Sequence, residues 1–521
     1  MKNRETDAAW AYHNGTKHSY QSIRANAHYL DWENRPLPFK IYTGLDSIAL
    51  PQQLASTTMP ALSAISSSAV PGEVGIMPTR QTLAEILFLS AGITRRRSYP
   101  GGEMQFRAAA CTGALYHIDL YLLCGDLEDL QAGVYHFSPH DFALRRLRAG
   151  DCRSVLVRAS GEEPAIVNAP CVIVCASTFW RNAWKYQARA YRHCYWDSGT
   201  ILANLLAAAA ARAVPAKVVI GFVDAETDKL LGLDNQREAP LAMVALGEVA
   251  HRVVVPPLTV DPLVLQTTPL SKREVDYPAM RAIHEASSLE DEKEVVAWRA
   301  SALSVAAAGL NDETANSRIF PLQPLSSVEM PQDSIDEVIV RRGSTREFSP
   351  ESISFAQLST MLDSATRGVH ADFLRPGESS LNELYLIVNA VDDLPSGTYR
   401  YRRSAQSLEL LKEGDFRGDA GYLGLGQEIP ADCSVNVYFL TDLPRALERY
   451  GNRGYRAAQL EASIMGGKLY LAAYAQGLGA SGLTFFDDDV TEFFSPSAAG
   501  KSVMFLVAVG KSAKATKASS S

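Results

Sequence analysis

The sequence predicts an α+β fold of two tandem domains, each a mixed or antiparallel β-sheet flanked by helices, closing on one another as an intramolecular pseudo-dimer. Three observations carry this expectation. The chain repeats itself, the first feature to look for in a long sequence. "AGVYHFSPHDFALRRLRAGD" (132–151) lies over "SGTYRYRRSAQSLELLKEGD" (396–415), so that Gly133, Tyr135, Leu144, Leu147, Gly150 and Asp151 recur 264 positions later as Gly397, Tyr399, Leu408, Leu411, Gly414 and Asp415. Apolar runs such as "DLYLLCG", "VYHFS" and "CVIVCAS" are short and divided by Gly, Asp and Pro, as strands are. Each half also carries one long helical pattern that is apolar nearly all round, "SGTILANLLAAAAARA" and "EASIMGGKLYLAAYAQGLG". A helix apolar on every face is a buried one, and the place for two of them is between the halves.

The same shift extends the repeat. "YHIDLYLL" (116–123) lies over "SLNELYLI" (380–387), and "KYQARAYR" (185–192) over "RYGNRGYR" (449–456). "LAMVALG" (241–247) then meets "MFLVAVG" (504–510) one residue out of step. The halves are therefore read as 1–258 and 259–521, each an irregular arm followed by a core. Two copies of this size suggest a fused dimer and not a solenoid, which stacks many short units. "QTLAEILFLSAGI" and "FAQLSTMLDSAT" space their apolar residues as amphipathic helices.

Composition narrows the class. With 521 residues, 47% hydrophobic and 21% charged, the chain is globular and longer than one ordinary core. A formal charge of −8 argues against non-specific nucleic-acid binding. No apolar run is long enough to span a bilayer, and the opening residues "MKNRETDAAWAYHNGTKHS" lack an apolar core. The seven cysteines form no paired framework, and Cys171 and Cys175 read as buried free thiols in a strand. A cytoplasmic protein without nucleic-acid or membrane partners is expected.

"VRRGSTREFSP" (340–350) has no counterpart in the first half. Arginine presents a planar fork of donors that matches phosphate oxygens, and a serine hydroxyl with backbone N–H groups in a glycine turn adds further donors. The alternative for such a stretch alone is a solvated basic turn. No GxSxG, HExxH or Walker pattern competes with it, and no GxGxxG opens a helix. Asp487 to Asp489 read as a solvated turn, with no metal ligand set around them. "ITRRRSYPGGEM" is an insertion that the second half lacks; it reads as a surface loop, with a place at a substrate mouth as the other reading.

In order, RxSxRxF, an amphipathic helix, a small-residue loop and a strand resemble the FMN-dependent nitroreductase family. The resemblance implies that Arg342, Ser344 and Arg346 hold the FMN phosphate and ribityl chain, with Arg341 as a helper. "RAAACTGALYHIDLY" (107–121) resembles the "RAAPSAGALYPIELY" loop of the azoline-oxidising, SagB-type branch, which implies that Ala110, Cys111, Thr112, Gly113 and Ala114 lean on the flavin ring. Here Ala110, Cys111 and His117 depart from the branch's Pro, Ser and Pro. The segment "GLGASGLTFFDDD" (477–489) implies Thr484 and Phe485 at the flavin's reactive edge, and Lys511 is either a phosphate helper or a surface lysine. Lys185 and Tyr186 match the branch's catalytic Lys-Tyr pair, whereas the second copy reads Arg449-Tyr450. Tyr191 and Arg192, which recur in the second half, read as structural.

The first-half position that matches the cradle, "LSAISSSAV" (62–70), holds no arginine, and the second-half loop "DFLRPGESSLN" (372–382) has lost the small-residue pattern. One composite site and one FMN per chain are therefore expected. The activity implied is an FMN-dependent oxidation of a small molecule or peptide-derived heterocycle by hydride transfer, with NAD(P)H or O2 as second substrate, in a monomeric pseudo-dimer. The alternatives are an NAD(P)H-dependent nitro or quinone reductase, and a non-catalytic scaffold of a biosynthetic complex.

Overall fold

The computed structural model describes residues 2–25, 28–67, 77–100, 102–249, 258–303, 318–367, 369–374 and 380–513. Two seven-stranded sheets organise the chain, and every pairing within them is antiparallel. The first runs, edge to edge, through Ser47–Ala49, Ala143–Ala149, Gly133–Ser138, Ile118–Cys124, Cys171–Thr178, Glu238–Leu246 and Ala216–Val219. The second repeats that order with Ile319–Pro321, Ser407–Glu413, Gly397–Arg402, Asn382–Val388, Val435–Thr441, Ser502–Gly510 and Gly479–Gly482. The predicted α+β tandem architecture is thus present, and the sheets are purely antiparallel. The predicted boundary at 258 abuts residues 250–257, which fall outside the described ones.

Strands Ile118–Cys124 and Cys171–Thr178 are buried at every position, because both faces of the sheet are covered. Alternation sorts their side chains between two cores. Leu120, Leu122, Ile173 and Cys175 join the main core; Tyr121, Leu123, Val172 and Val174 face a smaller outer one. All seven cysteines are free.

The main core is built around two central helices, Ala190–Ala210 and Arg453–Ala475, which pack on each other between the sheets. Small residues permit the close crossing. A Cβ at Gly467 would lie 2.6 Å from that of Ala203, and one at Gly199 would collide with Ser463. Ser463 Oγ instead donates to the Tyr195 carbonyl at 2.8 Å.

Reciprocal ion clusters join the halves. Asp487 accepts from Arg189 and Arg192 of the first half at 2.9 and 2.5 Å, and Asp224 accepts from Arg453 and Arg456 of the second at 2.6 and 2.7 Å. Asp487 is 2% exposed, which corrects the solvated-turn reading for that residue. Asp488 alone of the run is exposed, and it pairs with Lys17 at 2.7 Å. Arg192 is wholly buried in this cluster and lines neither of the cavities described below.

Candidate flavin site between the halves

The RRGSTR turn follows helix Ile335–Arg341 and is pinned by its threonine. Thr345 N donates to the Ala480 carbonyl at 2.9 Å, leaving Ser344 and Arg346 free to face a cavity. That cavity, about 500 Å³, is walled by the turn on one side and by Arg107, Ala109, Ala110, Cys111, Ala114 and Tyr116 of the first half on the other. A second cavity of about 330 Å³ adjoins it and shares Ala110, Cys111, Ser344 and Arg346. Lys185, Tyr186, Thr112, Gly113 and Thr484 line this second space, beside Trp196, Tyr470 and Phe505. Residues from opposite halves thus line two adjoining cavities.

The first-half loop is held by a side chain that the sequence reading passed over. Asp197, buried in the central helix, accepts from Thr112 N at 2.9 Å, Thr112 Oγ1 at 2.7 Å and Cys111 Sγ at 3.0 Å. His117 Nε2 also lies 2.9 Å from Asp197, while its Nδ1 meets Ser177. The departures Cys111 and His117 are therefore both partners of Asp197. Burial, reinforced by Asp197, pushes the Cys111 thiol well above its ordinary range, so it remains protonated. The one carboxylate of a wholly buried helix was the available signal, since such a group needs a partner.

Gly113 has a left-handed φ of 65°, and a Cβ there would lie 2.7 Å from the Tyr186 hydroxyl. Tyr186 also packs edge-on against His193, with ring centroids 4.6 Å apart. Burial raises the Tyr186 pKa, whereas burial and then the nearby Arg346 lower that of Lys185. Lys185 Nζ lies 5.2 Å from the Tyr186 ring centre and has no hydrogen bond or ion pair among the described residues.

The cradle arginines differ in their commitments. Arg342 is 9% exposed; its Nε donates to the Ala108 carbonyl at 2.9 Å, clamping the loop of the other half. Arg341 turns to Asp333 and the Tyr474 carbonyl. Arg346 has no hydrogen bond or ion pair among the described residues and faces both cavities. Two predicted residues fall outside the lining. Phe485 is wholly buried against Trp196 and Arg189, and Lys511 pairs with Glu351 at 3.1 Å near the surface. "ITRRRSYPGGEM" is not a surface loop apart from the site: Ile93–Tyr99 and Gly102–Arg107 form a hairpin whose Thr94, Arg95, Arg96 and Arg97 line the larger cavity.

Tyr450, the counterpart of Tyr186 264 positions on, has a tryptophan against it. Trp298, 1% exposed, stacks beside Tyr450 with centroids 5.3 Å apart and donates its Nε1 to the Tyr450 carbonyl at 3.1 Å. Asp372 accepts from Ile220 N and Gly221 N at 3.0 and 2.8 Å. A Cβ at Gly221 would lie 2.9 Å from the Trp298 ring. The first-half counterpart of the cradle runs into residues 68–76, and the second-half loop includes 375–379; both stretches lie outside the described residues.

The donor set fits a flavin mononucleotide. Guanidinium groups and Ser344 gather at one end, and aromatic side chains with loop backbone at the other. Among the aromatic residues of the second cavity, Thr484 Oγ1 is buried without a hydrogen-bond partner among the described residues. Among the described residues no cluster of His, Cys, Asp or Glu would hold a metal ion, and no helix is long and apolar enough to cross a membrane.

Fold and site together define a two-repeat α+β protein with an anion-seeking cavity shared by the repeats. A profile of the nitroreductase family matches residues 78–248 and 339–511, and the chain belongs to that family. A crystal structure of a protein from Anabaena variabilis, described as a nitroreductase, is 26% identical with a TM-score of 0.75, covering 97% of this chain and 99% of the other. A protein of Methanocaldococcus jannaschii named as a nitroreductase is 25% identical over 32% of this chain and 80% of its own length. The microcin B17-processing protein McbC of Escherichia coli is 30% identical over 30% of this chain, and the match spans only 55% of McbC.

Proposed function

We propose that this nitroreductase-family oxidoreductase binds one FMN per chain in the composite cavity and oxidises a small molecule or a peptide-derived heterocycle. The observation that carries the reading is the meeting of an intact RRGSTR cradle from the second half (259–521) with the small-residue loop and Lys185-Tyr186 from the first (1–258). The 30% identity to a microcin-processing protein favours a substrate of the modified-peptide kind. The packing of Trp298 against Tyr450 supports a single site.

In this reading Ser344 and Arg346 would hold the phosphate end, with Arg342 behind them clamping the loop of the other half, and the backbone from Ala110 to Ala114 would face the ring. Bound FMN would supply a two-electron acceptor; molecular oxygen or an oxidised nicotinamide would take those electrons on and complete turnover. The chain's own part is orientation and proton transfer. Removing a hydride from a C–H leaves a cation whose neighbouring N–H or C–H must lose a proton. Lys185 Nζ takes it, because burial and Arg346 bring its pKa down and make the neutral amine accessible. Tyr186, pushed the other way, stays a neutral phenol and holds the substrate by donating a hydrogen bond. Asp197 keeps the loop in register through Thr112.

The test is the visible spectrum of purified protein with the released FMN counted per chain. About one FMN per chain supports the composite site. Two would mean that the place around Trp298 also binds, and none, even with FMN in excess, would remove the oxidoreductase reading in favour of a scaffold.

A further inference from the structure

We propose that Arg95, from the Ile93–Tyr99 and Gly102–Arg107 hairpin of the first half, completes the phosphate cradle that the RRGSTR turn of the second half begins. The proposal deepens the FMN reading above and rests on it. Arg95 reaches across the cavity: a Cβ at Gly343, in the middle of the cradle, would lie 3.8 Å from an Arg95 Nη2. Its guanidinium rests on the Phe106 ring, 4.8 Å from the ring centre, which fixes the plane of the fork. It has no hydrogen bond or ion pair among the described residues.

The neighbouring arginines show why this one is available. Arg96 is bound to Glu103 at 2.9 Å, Arg341 to Asp333, and Arg342 to backbone carbonyls of Arg107 and Ala108. Arg95 and its hairpin neighbour Arg97 are left facing the same space as Arg346 of the other half, with Glu347 the one carboxylate among the described residues of the wall; of the two hairpin arginines, it is Arg95 that reaches the middle of the cradle at Gly343. Like charges brought together without a counterion oppose each other, and Arg95 is among the charges that depress the proton affinity of Arg342. A phosphate monoester dianion relieves this, since its three terminal oxygens accept from two guanidinium forks at once. Among the described residues the second half shows no such hairpin, so this cation reaches the cradle from the other half.

Full-length apo-protein would be titrated with FMN and, separately, with riboflavin, which lacks the phosphate, following quenching of flavin fluorescence. Arg95→Ala is expected to weaken FMN binding about tenfold or more, as loss of a charged hydrogen bond does, and to leave riboflavin binding unchanged. Arg95→Lys is expected to fall between, and Met104→Ala, on the same hairpin but off the cavity, to match the parent. Equal weakening of both flavins would overturn the proposal, because Arg95 would then be a prop for the hairpin. Unchanged FMN binding in Arg95→Ala would overturn it while leaving the cofactor reading intact. A parent that binds no FMN would overturn both. Should the alanine variant fail to fold, Arg95→Gln serves the same comparison.

Discussion

Lys185 and Tyr186 are neighbours in sequence, yet their surroundings move their proton affinities apart: down for the lysine, up for the tyrosine. A division of labour follows, and it is measurable. Lys185→Met should retain FMN but lose about 10²- to 10⁴-fold in turnover, the usual worth of a general base. Tyr186→Phe should lose less. In the parent, kcat/KM should rise with pH along a limb below the ordinary lysine value of 10.5, as the base sheds its proton, and Lys185→Met should lack that limb. Gly113→Ala should cost about 1–2 kcal/mol in stability from the left-handed φ and displace Tyr186, whose hydroxyl occupies the place of the new methyl. The Lys-Tyr pair was legible because its two residues are adjacent. Asp197 was not, because its partners Cys111 and Thr112 lie 86 and 85 positions away and only folding brings them together.

At the scale of elements, the paired carboxylate–arginine clusters deserve testing for what they hold. Asp487→Asn would leave Arg189 and Arg192 buried with reduced compensation, and about 3–5 kcal/mol of stability should be lost in denaturant unfolding. The sign with pH follows from Asp224, whose pKa falls from 3.8 to about 2 despite burial, because Arg453 and Arg456 stabilise its charge. Its contribution is complete above the unfolded value and is lost as pH falls from about 4 to 2. Asp228, one helical turn on, behaves oppositely. Burial and then Asp224 raise its pKa to about 8, so the native state holds a proton that the unfolded chain has released, and stability falls as pH rises from about 4 to 8. Asp228→Asn should therefore raise Tm at pH 8 relative to the parent. Strands and central helices were legible from period and punctuation. The hairpin was not, because "ITRRRSYPGGEM" carries charge where a strand pattern would carry alternation; its arginines make sense only against the turn from the other half. Asp487 was misread for the same reason, its two partners lying some 300 positions away in the chain.

At the scale of the whole molecule, duplication was plain from the 264-residue shift, and the uneven fate of the two halves from a cradle and a Lys-Tyr pair that each occur once. The packing of Trp298 was not legible, because it sits in the arm of helix Glu292–Leu303 and only its contact with Tyr450 shows what it does. Trp298→Ala should cost about 3–5 kcal/mol, the price of emptying a buried indole's space, without creating a second FMN equivalent, since no cradle faces it among the described residues. Symmetric dimers with two identical sites can show cooperative or half-of-the-sites behaviour, each ligand sensing the other through the shared interface. In the single-site reading proposed above, Trp298 takes that possibility away. Cofactor titration of this chain should trace a simple hyperbola with a Hill coefficient of about one. Every spectroscopic signal from the bound chromophore should then report a single environment, with no average over two.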